Sequence, residues 1–343
     1  MSEIARDYDF PYPAFPNGWH GIAFSSDVAR GESQAIRMLG RDFVVFRTEA
    51  GEAHVLDAYC PHLGAHLGHG GRVVGDALEC PFHNWRWNGE GRCTHIPYSD
   101  RVPDYARMPA WRVLDRNGFI FVWYHADGAE PDWEIEDIPE SHDSEFEVVF
   151  RKDWEPFPSH PQEISENGVD LPHFRTLHGW TAKSIDWQTD GPFYDMVYEL
   201  EEMPERWKQE GELQSLQSRT EGPTYTRTRF WGAYRGVSAH CFVPVEAGQV
   251  RLMQLYYGHV KQTEAESLQW FEASDREWAA DIPIWSNKKH LTRPMLIGDD
   301  GPVPRMRSWY RQFYSEEVAE TRPIESGERR IQERGDGATR IGG

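Results

Sequence analysis

No stretch of this 343-residue chain approaches the ~18 consecutive apolar residues that a membrane-spanning helix requires. Nor does an apolar run follow Met1-Ser2-Glu3, so no secretory leader is expected and the chain reads as cytoplasmic. Cysteine is scarce: Cys60, Cys80, Cys93 and Cys241 are too few for the disulfide framework of a secreted scaffold. Positive charge is in deficit, with 36 Lys and Arg against 56 Asp and Glu and a formal net charge of −20. That balance disfavours nucleic acid and anionic membrane surfaces as partners, and its simplest consequence is that it keeps the protein in solution. With 39% hydrophobic and 27% charged residues, the length suits two domains of ordinary size.

What the chain does contain is a pair of short Cys and His motifs, Cys60-Pro61-His62 and Cys80-Pro81-Phe82-His83. Thiolates are soft ligands and imidazoles borderline, so four such groups suit a structural zinc or a two-iron cluster in which two Cys hold one iron and two His the other. Zinc modules usually pair C-x2-C with H-x3-5-H. Here each half contributes one Cys and one His, as C-x-H and C-x2-H, which is the Rieske pattern, with a zinc module as the competing reading. Pro61, Gly64 and Pro81 suit backbone wrapped closely on a cluster. His66 and His69 are surplus to the four ligands, and they are expected to face solvent or to hydrogen-bond nearby. Ala65 and Phe82 stand where respiratory-type Rieske proteins carry a second Cys, so no loop disulfide is possible. A potential toward the lower end of the Rieske range follows, suited to reduction by a ferredoxin or flavin reductase.

Around these loops the chain has strand composition at Gln34 to Leu39, Phe43 to Arg47 and Ala53 to Asp57, after an aromatic and proline-rich lead-in from Tyr12 to His20. Trp87 to Cys93 reads as a hairpin, as do Trp111 to Leu114 and Phe119 to Tyr124 about Arg116-Asn117-Gly118. Residues 1–127 are therefore expected to form an antiparallel β domain from which the cluster loops project. The acidic stretch from Gly128 to Glu145 reads as a surface linker opening a second domain over 128–317. There, strands are expected at Phe193 to Leu200, Thr224 to Trp231, Val237 to Val243 and Val250 to Val260, and a helix from Glu264 to His290. The fold class is α+β, with a large antiparallel sheet flanked by helices in the second domain, and the polar tail over 318–343 is expected to lack fixed structure. Phe193, Tyr194, Phe230, Trp231, Tyr234, Phe242, Tyr256 and Tyr257 are candidates to line an apolar pocket, with ordinary core as the alternative.

The segment from Pro161 to Gly179 is helical in pattern but contains Gly168 and Pro172, so a kink or break is expected near Pro172. On a regular helix His173 and His178 point about 140° apart, too far to share a metal comfortably, whereas a distorted turn lets them converge. Alone, an H-x4-H pair is weak. It gains weight after the Cys and His motifs, with Asn167 and Asp170 just before it. Asp281 on the later helix is the candidate third ligand, with Asp275 and Glu277 as rivals.

Together these features resemble the terminal oxygenase component of Rieske non-heme iron oxygenases, from Trp19 to Tyr314. Within that family they are most similar to the 3-ketosteroid 9α-hydroxylases and their sterol-modifying relatives. Leu56-Asp57-Ala58-Tyr59-Cys60, Cys80 to Trp87, Ile96-Pro97-Tyr98, Asp299 to Pro302 and Trp309 to Tyr314 carry that closer likeness. The resemblance implies a helix-grip-like catalytic domain and a [2Fe-2S] cluster on Cys60, His62, Cys80 and His83. It also implies a mononuclear Fe(II) on His173, His178 and Asp281, an amide from Asn167 near the iron, and Asp170 as a bridging carboxylate accepting an N–H from His173. It implies O2 as co-substrate, a separate NAD(P)H-dependent ferredoxin or flavin reductase, and a head-to-tail homotrimer. The expected activity is hydroxylation, desaturation or demethylation of a bulky apolar molecule, a steroid or sterol. The alternatives are an O- or N-demethylase or ring hydroxylase of a smaller aromatic compound and, outside enzymes, a Rieske electron carrier.

Overall fold

The computed structural model describes residues 10–203, 215–231, 235–298 and 300–315. The expected tail over 318–343, and Tyr234 and Asp299, lie outside the described residues.

The N-terminal half is built from three small antiparallel sheets: β1 (Gly18–Phe24) with β9 (Val113–Arg116) and β10 (Phe119–Tyr124); β2 (Ser33–Met38), β3 (Arg41–Arg47) and β4 (Ala53–Asp57); and β5 (Arg72–Val74), β6 (Ala77–Glu79), β7 (Arg86–Asn88) and β8 (Cys93–His95). The β9–β10 hairpin turns at Asn117 and Gly118, whose φ values of 53° and 76° fit the Asn-Gly turn that matches strand twist. β1 begins inside the lead-in, at Gly18.

The Gly128 to Glu145 stretch is not the loose surface linker its few apolar residues suggest. Ile135 and Ile138 are fully buried in the core shared by both halves. The Asn117 side chain bonds the Glu136 carbonyl and the Ile138 N–H, and Glu136 pairs with Arg219 and Arg227. Two isoleucines at the right register hold the stretch down where bulk composition predicts solvent.

The second half is one antiparallel sheet. Its order is β11 (Phe146–Asp153), β18 (Gln249–His259), β17 (Gly236–Glu246), β16 (Tyr225–Trp231), β15 (Ser215–Glu221), β14 (Phe193–Glu202) and β13 (Thr181–Asp190), and β12 (Phe157–Pro158) pairs with β18. β17 is buried on both sides, and the two-residue period sorts it. Val237, Ala239, Cys241 and Val243 join Trp19, Ile22, Phe119 and Phe121 of the N-terminal half in one core, while Ser238, His240 and Phe242 face a cavity on the other side.

Between β12 and β13, α1 (Pro161–Asn167) leads through Gly168 and Asp170 into α2 (Leu171–His173). After β18, α3 (Glu264–Trp285) starts with a reciprocal Thr263 and Glu266 capping box. α3 holds Pro283 in its last turn and ends at Trp285, short of the expected His290. α4 (Val303–Tyr310) packs across α1.

Candidate active site

Two loops of matching shape carry the Cys and His motifs. The Cys60 N–H donates to the Ala65 carbonyl at 2.9 Å and the Gly64 N–H to the Cys60 carbonyl at 2.8 Å; in the second loop Cys80 donates to Trp85 at 2.8 Å and Asn84 to Cys80 at 3.0 Å. Gly64 and Asn84 hold corresponding places at φ 76° and 57°, the left-handed conformation that Gly and Asn tolerate best. The His62 and His83 rings then meet at 4.6 Å between centroids, and His62 stacks on Trp85 at 4.4 Å. Cys60 and Cys80 are buried beside each other, and burial pushes the Cys60 thiol up to about 11. His62 Nδ1 is buried without a hydrogen-bond partner. An orphaned imidazole nitrogen beside two desolvated sulfurs fits a metal cluster, since a coordinated thiol deprotonates outright. His66 instead accepts the Gly68 N–H at 3.1 Å.

The second group forms where α2 runs into a π-helical turn, Phe174–His178. The helix breaks before Pro172, at Gly168 to Asp170, and Pro172 opens the next helical stretch, where a missing N–H costs nothing. The π turn closes with the Gly179 N–H on the Phe174 carbonyl, and Gly179 caps it at φ 75°. Widening the turn brings residues five apart onto one side. His173 and His178 stand 5.0 Å apart between centroids with rings at 84°. Asp281 reaches them from α3, its Oδ1 3.3 Å from His178 Nε2, and all three present ligand atoms within 4.8 Å of one another. Burial holds the His173 imidazole below its usual value. Its Nδ1–H donates to the main-chain carbonyl of Asp170, which leaves the lone pair on Nε2, 3.1 Å from the Asn167 amide nitrogen. Two imidazoles and a carboxylate, with room beside them, fit a mononuclear ferrous ion.

This group opens on a cavity of roughly 1040 Å³, counting its mouth. Phe174, Trp180, Met196, Tyr198, Leu216, Phe230, Phe242, Trp278 and Trp285 supply its apolar walls.

Residues 18–106 match the Rieske [2Fe-2S] domain, and residues 122–314 match the 3-ketosteroid 9alpha-hydroxylase C-terminal domain. The chain is 34% identical over 338 residues to the cholesterol 7-desaturase nvd of Xenopus laevis, spanning 88% of this chain and 72% of that one. It is 31% identical over 354 residues to a 3-ketosteroid-9-alpha-monooxygenase oxygenase component of Rhodococcus rhodochrous, spanning 93% of both. The chain belongs to the 3-ketosteroid 9α-hydroxylase family of Rieske oxygenases. The oxygenase shares its fold with NdmA of Pseudomonas putida CBB5 with caffeine, at TM-score 0.69 and 18% identity over 85% of this chain and 89% of that one. Dicamba monooxygenase bound to dicamba is similar at TM-score 0.64 and 14% identity, over 87% and 97%. A [2Fe-2S] cluster and a mononuclear iron are the cofactors of this family, and a separate reductase supplies the electrons. No described helix of the oxygenase is long and apolar enough to cross a membrane.

Several sequence expectations need correction. The contact between Asp170 and His173 within the chain runs through the Asp170 carbonyl, not its carboxylate. Of the aromatics proposed for the pocket, Phe230 and Phe242 line the cavity; Tyr194 packs on Trp309, Phe193 on Trp133, Tyr257 faces the N-terminal half and Trp231 is exposed. Asp275 pairs with Lys152 at 2.6 Å, outside the His group, while Glu277 lines the cavity. Sequence reading missed Ser238, His240 and Gln254, whose signal is polar residues alternating through otherwise apolar strands. A second acidic group, Glu163 and Glu166 with His290, is compensated by Lys288 and Arg307 and ties α1 to α4.

Proposed function

We propose that this oxygenase oxidises a steroid or sterol, with its [2Fe-2S] cluster held by Cys60, His62, Cys80 and His83 and its mononuclear iron by His173, His178 and Asp281. The observation that carries the reading is the convergence of two imidazoles and a carboxylate on a roomy, largely apolar cavity. Such a cavity binds by buried area, with a few polar groups setting orientation. The 34% and 31% identities to a cholesterol 7-desaturase and a 3-ketosteroid-9-alpha-monooxygenase support the same substrate class.

The bound cofactors supply stored electrons and O2 activation; the chain supplies position and surroundings. The Asp170 carbonyl fixes the His173 tautomer and ring, as hydrogen-bonded partners of metal ligands commonly do. The Asn167 amide faces the other ring nitrogen, Nε2, from α1 and is placed to orient a polar group beside the iron. Aromatic walls exclude water, which strengthens every charge interaction at the site. The Asp170 carboxylate makes no hydrogen bond among the described residues of its own chain, and Leu63 and Phe82 at the tips of the cluster loops are 64% and 61% exposed. Both features support a head-to-tail homotrimer in which Asp170 receives an N–H from His83 of a neighbouring chain and links the two metal sites. Residues 1–127 serve as the electron-receiving domain and 128–317 as the catalytic one, working in the cytoplasm with an NAD(P)H-dependent ferredoxin or flavin reductase.

The test is to supply the reduced oxygenase with O2 and a panel of steroids, sterols, bile acids and small aromatic acids. Oxidised product from a steroid or sterol is expected. Product from a small aromatic acid alone would replace this reading with a demethylase or ring hydroxylase.

A further inference from the structure

Ser238, on the cavity face of β17, is 1% exposed and belongs to a hydrogen-bonded chain whose direction is set from outside the cavity. The chain begins at Trp154, which does not line the cavity. Its indole N–H, a donor only, meets Gln254 Oε1 at 2.8 Å. The Gln254 amide must then turn its NH2 to His240 Nδ1, 3.0 Å away, so that ring nitrogen accepts. His240 is fully buried, and burial lowers it to about 3, so the ring is neutral and carries its one proton on Nε2. That proton goes to Ser238 Oγ at 2.8 Å. Trp278 packs against the His240 ring at 5.0 Å and keeps it in place.

Ser238 thus receives a hydrogen bond, and its own proton has no acceptor among the described residues. The neighbouring hydroxyls differ. Thr228 turns to Ser218 at 3.5 Å, Thr220 to Thr226 at 3.2 Å, and Thr226 to the Arg219 carbonyl at 3.2 Å, so their protons are spent within the sheet. Ser165 also borders the cavity, but its hydroxyl has no partner and hence no fixed direction.

We infer that Ser238 is the specificity determinant that anchors an oxygen substituent, a ketone or hydroxyl, of an otherwise apolar substrate, its proton aimed into the cavity by Trp154, Gln254 and His240. The inference rests on the proposed steroid or sterol class and adds what the site recognises in it. A buried, directed donor left unmatched by a hydrocarbon penalises that ligand, which is how polar groups in apolar pockets select. The anchor lies toward Ser274, midway along α3: Ser238 pairs across the sheet with Tyr256, whose hydroxyl meets Ser274 at 2.9 Å. Asp281 is two helical turns further along, about 10 Å of rise. An oxygen held at Ser238 therefore fixes how far a rigid skeleton extends toward the metal ligands.

The experiment is calorimetric titration of the iron-loaded holoenzyme with androst-4-ene-3,17-dione and with its 3-deoxy and 17-deoxy analogues. Wild type is expected to bind the dione about 3- to 10-fold more tightly than one of the two analogues, the worth of one hydrogen bond. Ser238→Ala should abolish that difference while leaving affinity for the deoxy analogue unchanged, and Ser238→Thr, which keeps the donor, should retain it. Trp154→Phe, made outside the cavity, should reduce the same selectivity because the Gln254 amide is then free to reverse. Full selectivity in Ser238→Ala, equal weakening of all three ligands, or loss of selectivity in Ser165→Ala instead would overturn the anchor while leaving the substrate class standing. Wild type that binds no steroid would overturn both.

Discussion

Asp275 and Asp281 lie on the same helix, yet their surroundings give them different work. Asp275 neutralises Lys152, whereas Asp281 is buried against His178. Asp281→Ala should lose the mononuclear iron and all turnover while the cluster spectrum survives, and Asp275→Ala should keep both irons; metal analysis with electron paramagnetic resonance reads the outcome, and iron loss in Asp275→Ala would reverse the assignment. Asp170 calls for a subtler substitution. Because its main-chain carbonyl holds His173, Asp170→Asn leaves that bond in place, so both metal sites should stay loaded while reoxidation of the reduced cluster by O2 and substrate slows by orders of magnitude. Reoxidation at the wild-type rate would show that electrons take another route. That His173, His178 and Asp281 come together was legible in the sequence, because few residue types can ligate a metal. The carbonyl contact was not, since it follows from the Asp170 backbone at φ −82° and ψ 89°, which no side-chain pattern records.

Among the elements, the π turn Phe174–His178 is the most consequential, because its extra residue sets where His178 points. Inserting one alanine after Thr176 carries His178 a further residue step around the helix, about 100°, off the side it shares with His173. The variant should fold, keep its cluster and lack mononuclear iron; normal iron content would mean that the π geometry is incidental. α1, which carries Asn167, is tied to α4 by Arg307 and Glu166, a bidentate pair at 2.9 and 2.8 Å with side chains 11% and 7% exposed. Arg307→Ala strands a buried carboxylate and should destabilise the protein by about 3–5 kcal/mol, read as a lower denaturant midpoint. A change under about 1 kcal/mol would place this pair with weak surface bridges. Strands with alternating or β-branched composition were legible almost to the residue, Ala53–Asp57 among them. β13, with Lys183, Ser184, Asp186 and Gln188 along it, was not, because its packing comes from its neighbours in the sheet and not from its own pattern.

At the scale of the whole molecule, the two halves share one core, and β17 serves both, walling the cavity with one face and holding the N-terminal half with the other. Gly21 of β1 sits so close that an added Cβ would collide with the Cys241 sulfur, so this contact leaves no slack. Both halves should therefore unfold in a single transition. Its pH dependence follows from buried histidines: burial lowers His20 to about 4 and His160 and His240 to about 3. The unfolded chain takes up these protons near pH 6.5 and the folded chain does not, so stability is full above about 6.5 and falls as the pH drops toward 4. By pH 5 each histidine costs on the order of 1–2 kcal/mol. His20→Gln should flatten that slope by about one proton, and an unchanged slope would mean that His20 is protonated in the native state. The central claim, that the Cys and His loops and the His173, His178 and Asp281 group form one O2-dependent steroid oxidase, is tested most directly by a single-turnover experiment. Pre-reduced enzyme is mixed with O2 and a steroid, and cluster reoxidation and product are followed together. Wild type should yield oxidised steroid in proportion to the clusters reoxidised, and His173→Ala, with its cluster intact, should yield none. Product from His173→Ala at the wild-type level would contradict the account.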